Sequence, residues 1–242
     1  MIVYGKNPVL ELLKSSPQRI EKILIAKKTH LPKELYQLIQ DCPAPVIHVE
    51  KRKLDKLSGR KQHQGIIAII RDIEFWDPHK LIKDLIDKKE VLLIVNHVED
   101  PQNLGNIIRS AEVFGVHGVI IPALRSAGIT ETVIRASQGA IFHLKLSVVK
   151  NILNFIRSIK EKGIWIYSLE RGGSDINKVT FNFPLALVIG SESKGISPSI
   201  LKDSHEVVSI PMWGKVNSLN VASATAIALF KIRNARKCLT NY

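Results

Sequence analysis

Five apolar runs in the second half of the chain most restrict what it can fold into: VLLIVNHV (91–98), GVIIPA (118–123), GIWIYSL (163–169), LALVIG (185–190) and VVSIPM (207–212). A strand with one solvated face alternates apolar and polar residues. Near-continuous apolar runs belong to strands buried on both faces, as in a parallel sheet clad with helices. The intervening segments NLGNIIRSAEVFG (103–115), VKNILNFIRSIKEKG (149–163) and 218–237 repeat apolar residues at helical spacing. The expected architecture is therefore α/β, a mostly parallel sheet with helices on both faces. Such sheets bind ligands beyond the carboxyl ends of their strands, which directs attention to the polar loops after Val98, Ile189 and Met212.

The first third reads differently. IEKILIAK (20–27), APVIHVE (44–50) and GIIAIIR (65–71) are expected strands, alternating with helical patterns at 7–16, 32–41 and 50–59, which makes residues 1–72 a small α/β domain. The nearly neutral stretch that follows carries Pro78 and is expected to be a linker over residues 73–89, leaving 90–242 as the second domain.

Lys and Arg outnumber Asp and Glu by 35 to 22, a formal charge of +13 in 242 residues. Both outer segments share the excess, with 14 basic and 7 acidic residues in 1–72 and 18 and 11 in 89–242. That balance points to a polyanion, nucleic acid first, since each neutralised phosphate releases counterions; a basic thermophile-like surface is the other reading. Lys51, Arg52, Lys53, Arg60 and Lys61 lie close together in EKRKLDKLSGRKQHQG (50–65), either as a solvated helix and loop or as an RNA-facing patch. Cys42 and Cys238 stand far apart without ligand spacing and the histidines are scattered singly, so no metal is expected. With no secretory leader and no apolar run of about 18 residues, the expectation is a cytoplasmic protein with no membrane partner.

The three loops hold the chemistry. In NHVEDPQNLGNIIRSAEVFG (96–115), Asn103 is a plausible helix N-cap, and Arg109 sits among Ile107, Ile108, Ala111 and Phe114, where a guanidinium needs a partner: Glu99 or Glu112, or else a phosphate or ribose. In VIGSESKGIS (188–197), Gly190, Glu192 and Gly195 suggest a tight backbone cradle that is neither a Walker loop nor a dinucleotide fingerprint. In IPMWGKVNSLNVASATAIALF (210–230), Asn217, Ser218 and Asn220 crowd the start of an apolar helix, more polar groups than one N-cap requires. Together Asn103, Arg109, Glu192, Ser218 and Asn220 form a set suited to orienting hydroxyls and phosphates. No Ser-His-Asp order or paired catalytic carboxylates accompany them.

In this order and spacing the loops resemble the SpoU (TrmH-type) branch of the SPOUT RNA ribose methyltransferases, close to the subgroup acting on guanosine of 23S ribosomal RNA. DPQNLGNIIRSA resembles the family's first motif, LVIGSESKGIS its second and IPMWGKVNSLNVASATAIALF its third, while YGKNPVLELL and HQGIIAII are similar to an L30e-like RNA substrate-binding domain. The third motif departs from the family pattern in placing VAS after SLN, so that the serine falls at Ser223, and GAIFHL (139–144) lacks a common acidic residue. The resemblance implies a C-terminal segment threaded into a deep trefoil knot, a homodimer, and S-adenosylmethionine as cofactor. It implies a cofactor pocket at Gly190, Gly195, Ile210, Met212, Ser218 and Leu219, and a catalytic set at Asn103, Arg109, Glu192, Ser218 and Asn220. The implied activity is methyl transfer to a ribose 2′-hydroxyl of structured RNA, with a tRNA-directed enzyme or a non-catalytic ribosome-assembly factor as alternatives.

Overall fold

The computed structural model describes residues 1–59, 61–124, 126–191 and 194–240, the last four of these by backbone alone. In chain order the elements are β1 (Ile2–Tyr4), α1 (Lys6–Ser15), β2 (Ile20–Ala26), α2 (Lys33–Asp41), β3 (Val46–Val49), α3 (Lys51–Leu57) and β4 (Ile66–Ile70). There follow α4 (Pro78–Asp87), β5 (Val91–Val95), α5 (Pro101–Val113), β6 (Gly118–Pro122), α6 (Glu131–Ala136), β7 (Leu146–Val149) and α7 (Ile152–Lys160). The chain ends with β8 (Trp165–Asp175), β9 (Leu185–Ile189), α8 (Pro198–Asp203), β10 (Glu206–Ser209) and α9 (Val221–Thr240). Among the described residues no helix is long and apolar enough to cross a membrane.

Two compact units result, Met1–Glu74 with Ile129–His143, and Phe75–Gly128 with Leu144–Tyr242. The smaller has a four-stranded sheet in the order β1-β4-β2-β3, antiparallel except for β2 and β3. Tyr4, Leu24, Ala26, Val49, Leu54 and Ile67 form a core on it. Residues 129–143 join this unit rather than the one their place in the sequence suggests: Asn7 Nδ2 donates to Gln138 Oε1 at 3.1 Å, and His143 Nε2 lies 2.9 Å from Glu11 Oε2.

The larger unit is built on a six-stranded sheet in the order β10-β8-β9-β5-β6-β7, parallel throughout, as the apolar runs predict. Leu92 and Ile94 meet Leu81 and Leu85 of α4 and Ile156 and Ile159 of α7 in one core. Val91, Leu93 and Val95 point the other way, as successive strand residues must, and are equally buried. Helices α5 and α9 pack on each other, burying Leu104, Ile107 and Ile108 of one and Ala228, Leu229 and Ile232 of the other.

The stretch expected as a linker over residues 73–89 is different in the structure. Pro78 opens α4, Asp77 Oδ1 accepts from Lys80 N at 2.9 Å to cap it, and Leu81, Ile82 and Leu85 lie in the core of the larger unit. Proline at the first helical position has no N–H to lose and a preset φ, so Asp-Pro here starts a helix instead of marking a break. At its far end Asp84 meets Lys145 in an ion pair, Lys88 Nζ at 2.9 Å and His117 Nε2 at 3.0 Å; hydrogen bonds from the two lysines hold the Asp84 carboxyl well below the usual range, while burial lowers His117.

The chain leaves β5 toward β6 and β7 on one side, then crosses to β8 and inserts β9 between β8 and β5. The strand order therefore reverses between β5 and β9, and the carboxyl ends of these two strands flank the crevice where a parallel sheet offers space to a ligand.

Candidate active site

Beyond β5 the chain turns through Asn96–Asp100 into α5. Asp100, rather than Asn103, is the N-cap: its Oδ1 accepts from Gln102 N at 2.9 Å with Pro101 behind it. That frees Asn103, one turn in and 7% exposed, to face inward. Its Oδ1 accepts from Asn220 Nδ2 at 2.9 Å. Asn220 Oδ1 in turn accepts from Ala222 N at 2.9 Å, so Asn220 caps α9 while bonding α5. One side chain thus closes a helix end and ties the first polar loop to the third. Replacing Asn220 with alanine is expected to lower stability by about 1 kcal/mol, the usual worth of an N-cap, and to release Asn103. The drop in the urea midpoint at an unchanged slope measures it.

Beyond β9, Ser191 and Gly195 pair with each other across the stretch expected as a cradle. Gly195 N donates to Ser191 O at 2.9 Å, and a β carbon on Gly190 would stand 2.4 Å from Gly195 C. Glu170 Oε2 accepts from Ile196 N at 2.8 Å, and its Oε1 from Arg171 N at 3.0 Å, so a carboxylate from β8 holds the cradle closed. Glu170 comes from a segment the sequence reading ends at 169. In the pairing with β10, Val207 lies opposite Ser168 but Val208 opposite Ser174, so residues 169–173 loop out of that ladder. The signal available was ERGG directly after an apolar strand, a charged pair and two glycines such as mark a bulge. Arg171 Nη1 also reaches Asn217 O at 3.2 Å.

Two cavities open here. The first, about 450 Å³, is lined by all six residues proposed for the cofactor, Gly190, Gly195, Ile210, Met212, Ser218 and Leu219, with Glu170 and Arg171. The second, about 510 Å³, is lined by Asn96, Glu99 and Asn103 on its own side, and shares Ser191, Lys194, Gly195 and Val221 with the first. Of the five proposed catalytic residues, Asn103 lines the second cavity, Ser218 the first, and Asn220 is bonded to Asn103. Arg109 is exposed on α5, lines neither cavity and makes no hydrogen bond or ion pair with the described residues, so the internal partners Glu99 and Glu112 do not hold it. Glu192 lies outside the described residues. Among those described, no three His, Cys, Asp or Glu gather as metal ligands.

In the smaller unit Lys51, Arg52 and Lys53 are exposed along the first turn of α3. Lys61 is exposed too, 3.8 Å from Glu131 and 5.8 Å from the Tyr4 ring centroid, while Arg60 lies outside the described residues.

An all-parallel sheet with paired polar cavities at its switch point defines a ligand-binding α/β protein. Comparison with known proteins makes this specific. Residues 90–230 match the model of the SpoU rRNA Methylase family, and residues 2–76 the model for RNA 2′-O ribose methyltransferase substrate binding. The chain is 35% identical over 239 residues to YacO of Bacillus subtilis, named for the TrmH family of tRNA/rRNA methyltransferases, a match covering 97% of this chain and 95% of that protein. It is 37% identical over 242 residues to a Staphylococcus saprophyticus protein named for the same family, covering 98% and 96%. The fold superimposes on the SpoU methyltransferase AviRb of Streptomyces viridochromogenes in complex with AdoMet, with TM-score 0.80 at 23% identity over 98% of this chain and 90% of that one. It also superimposes on an AdoMet-bound rRNA methyltransferase of Sinorhizobium meliloti, with TM-score 0.79 at 23% identity over 98% and 87%. The chain belongs to the SpoU rRNA methylase family and is an RNA methyltransferase.

Proposed function

We propose that the protein methylates a ribose 2′-hydroxyl of structured RNA, a guanosine of 23S ribosomal RNA, using S-adenosylmethionine held in the first cavity. The observation that carries this is the bond from Asn220 to Asn103: it ties together the loops that line two cavities with a shared wall, one for a donor and one for an acceptor. The first cavity suits the cofactor. Its volume falls in the roughly 300–1,000 Å³ range of small-ligand sites, its walls mix Ile189, Ile210 and Leu219 with Glu170 and Ser218, and a β carbon at Gly190 or Gly195 would strike the backbone or the Glu170 carboxylate of that wall. Bound there, S-adenosylmethionine supplies an electrophilic methyl on positively charged sulfur.

What the chain contributes is positioning. Asn103 and Asn220 fix the ribose, Ser218 orients the hydroxyl, and Arg109, fixed by Glu192, holds the phosphate and ribose oxygens. A guanidinium stays protonated at any ordinary pH, so Arg109 polarises the hydroxyl, and the proton leaves to phosphate or water.

The homodimer belongs to the same reading. The segment 211–220 has no regular structure; Trp213 is 89% exposed, and Val113 of α5, 66% exposed, has Ile227 and Phe230 of α9 as further exposed apolar residues. Arg109 and Val113 are four residues apart and so share one face of α5. A second copy covering that face receives Arg109 into its own site. The knotted threading of the C-terminal segment is part of this reading as well.

Tritium transfer from labelled S-adenosylmethionine into 23S transcripts, compared with tRNA transcripts, tests the proposal; label in neither RNA overturns it. Lys51, Arg52 and Lys53 are proposed phosphate contacts, with Arg60 and Lys61. Changing the first three to alanine is expected to weaken RNA binding and to reduce the slope of log affinity against log salt by about 2–3, close to one for each phosphate no longer neutralised. Filter binding between 50 and 200 mM salt measures it.

A further inference from the structure

The second cavity contains a polar group whose hydrogen bonds the protein leaves open. Asn96, the residue after β5, is 2% exposed; its backbone N–H donates to Ile189 O at 2.9 Å, yet its side-chain amide has no partner among the described residues. Among the described residues no fully buried side-chain nitrogen or oxygen lacks a partner, so the Asn96 amide is open to the cavity it lines and can take a partner there. Three residues on, Glu99 lines the same cavity, exposed and without an ion pair among the described residues, although the chain carries a formal charge of +13. Its neighbour Asp100 is already engaged in capping α5. A carboxylate repels phosphates, so its place in the acceptor cavity of an RNA-binding enzyme calls for a donor on the RNA; the ribose hydroxyl is already met by Asn103, Asn220 and Ser218 in the proposed function, which leaves a base edge.

We infer that the second cavity reads the base of the methylated nucleotide, the guanine of the proposed function, through Asn96 and Glu99. The four Watson–Crick edges differ in what they offer. Guanine alone presents two adjacent donors, N1–H and N2–H₂, which one carboxylate accepts together in a charge-assisted pair. Beside them is the O6 acceptor, suited to an amide N–H. Uracil flanks its single donor with two carbonyl oxygens, which a carboxylate repels; adenine and cytosine each set one amino group beside an unprotonated ring nitrogen. The inference deepens the proposed function and rests on it.

The test uses the full chain, tritiated S-adenosylmethionine and unmodified 23S and tRNA transcripts, with the labelled RNA digested to nucleosides and the methylated position mapped. Label is expected in 2′-O-methylguanosine. At the mapped site, inosine, which lacks the N2 amino group, is expected to lower kcat/KM by about 10-fold for the wild type, and E99A is expected to lower it by about 10- to 100-fold on guanosine, the range of one bidentate base contact. E99A should no longer distinguish guanosine from inosine, while its affinity for S-adenosylmethionine, measured by calorimetry, is unchanged. Loss of that affinity together with activity would mark a general structural defect and overturn the assignment of Glu99 to the base. Label in another nucleoside, or undiminished discrimination by E99A, overturns the inference alone. Label in no RNA overturns the proposed function beneath it.

Discussion

Changing Gly195 to alanine is expected to remove measurable binding of S-adenosylmethionine while leaving a folded, less stable protein. Gly195 has φ +62°, and an alanine β carbon would stand 2.3 Å from Glu170 Oε2, the oxygen that accepts from Ile196 N at 2.8 Å. Left-handed backbone costs a non-glycine residue roughly 1–2 kcal/mol. Displacing the carboxylate adds the loss of a hydrogen bond to a charged group, about 1.5–3 kcal/mol. The sum, about 2.5–5 kcal/mol, corresponds to a fall in melting temperature on the order of 10 °C for a unit of this size. The carboxylate cannot yield without opening the cradle, because Oε2 holds Ile196 N while Oε1 is anchored on Arg171 N. Alanine at Gly190 is expected to be worse, since its β carbon meets backbone, Gly195 C at 2.4 Å and Ile196 N at 2.7 Å, which has no rotamer to offer. Calorimetric titration with S-adenosylmethionine, alongside thermal unfolding, separates the two effects. Wild-type affinity in both variants would remove the first cavity from the cofactor's path.

The parallel sheet was legible because burial on both faces leaves its mark in each strand separately, and every apolar run marks a strand of one sheet. The polar loops were legible for a related reason: Asn and Ser at the start of an apolar helix cost helix propensity and so require a purpose, which the Asn220 cap and its bond to Asn103 supply. What sequence reading missed depends on partners distant in the chain. Strand β7 went unassigned: three residues before the expected helical pattern make too short a run, and its last residue, Val149, continues the spacing of Ile152 and Ile156, so that only pairing with β6 reveals the strand. Helix α4 looked like a linker because its composition is nearly neutral, though Leu81, Ile82 and Leu85 lie on one face. Residues 129–143 carry no mark that they belong with the smaller unit; that attachment exists only in contacts such as Asn7 with Gln138. Asn103 looked like a cap because it is a capping residue type, but Asp100 with Pro101 starts the helix three residues earlier, and this leaves the Asn103 amide for the site.

Changing Arg109 to alanine is expected to reduce methyl transfer by about 100- to 1,000-fold, the usual effect of deleting one charge-stabilising donor, while the affinity for S-adenosylmethionine and the melting temperature stay within error of the wild type. The structural reason is that Arg109 is exposed and makes no bond to the described residues, so the fold does not depend on it. Its position also predicts how it acts. It shares a face of α5 with exposed Val113 and not with Asn103, six residues back and about 120° around the helix. If a second copy covers that face, Arg109 serves the partner's site, and mixing decides the matter. R109A combined with G195A at equal amounts, unfolded and refolded together, gives about half heterodimers, each with one cleft that has an intact Gly195 and an arginine supplied from the other chain. Activity should recover to about one quarter of the wild type, although each variant alone is nearly inactive. If Arg109 serves its own chain's site, every cleft in the mixture lacks one element and no activity returns. That outcome would keep Arg109 in the reaction and remove the shared site, whereas full activity of R109A alone would remove Arg109 from the reaction.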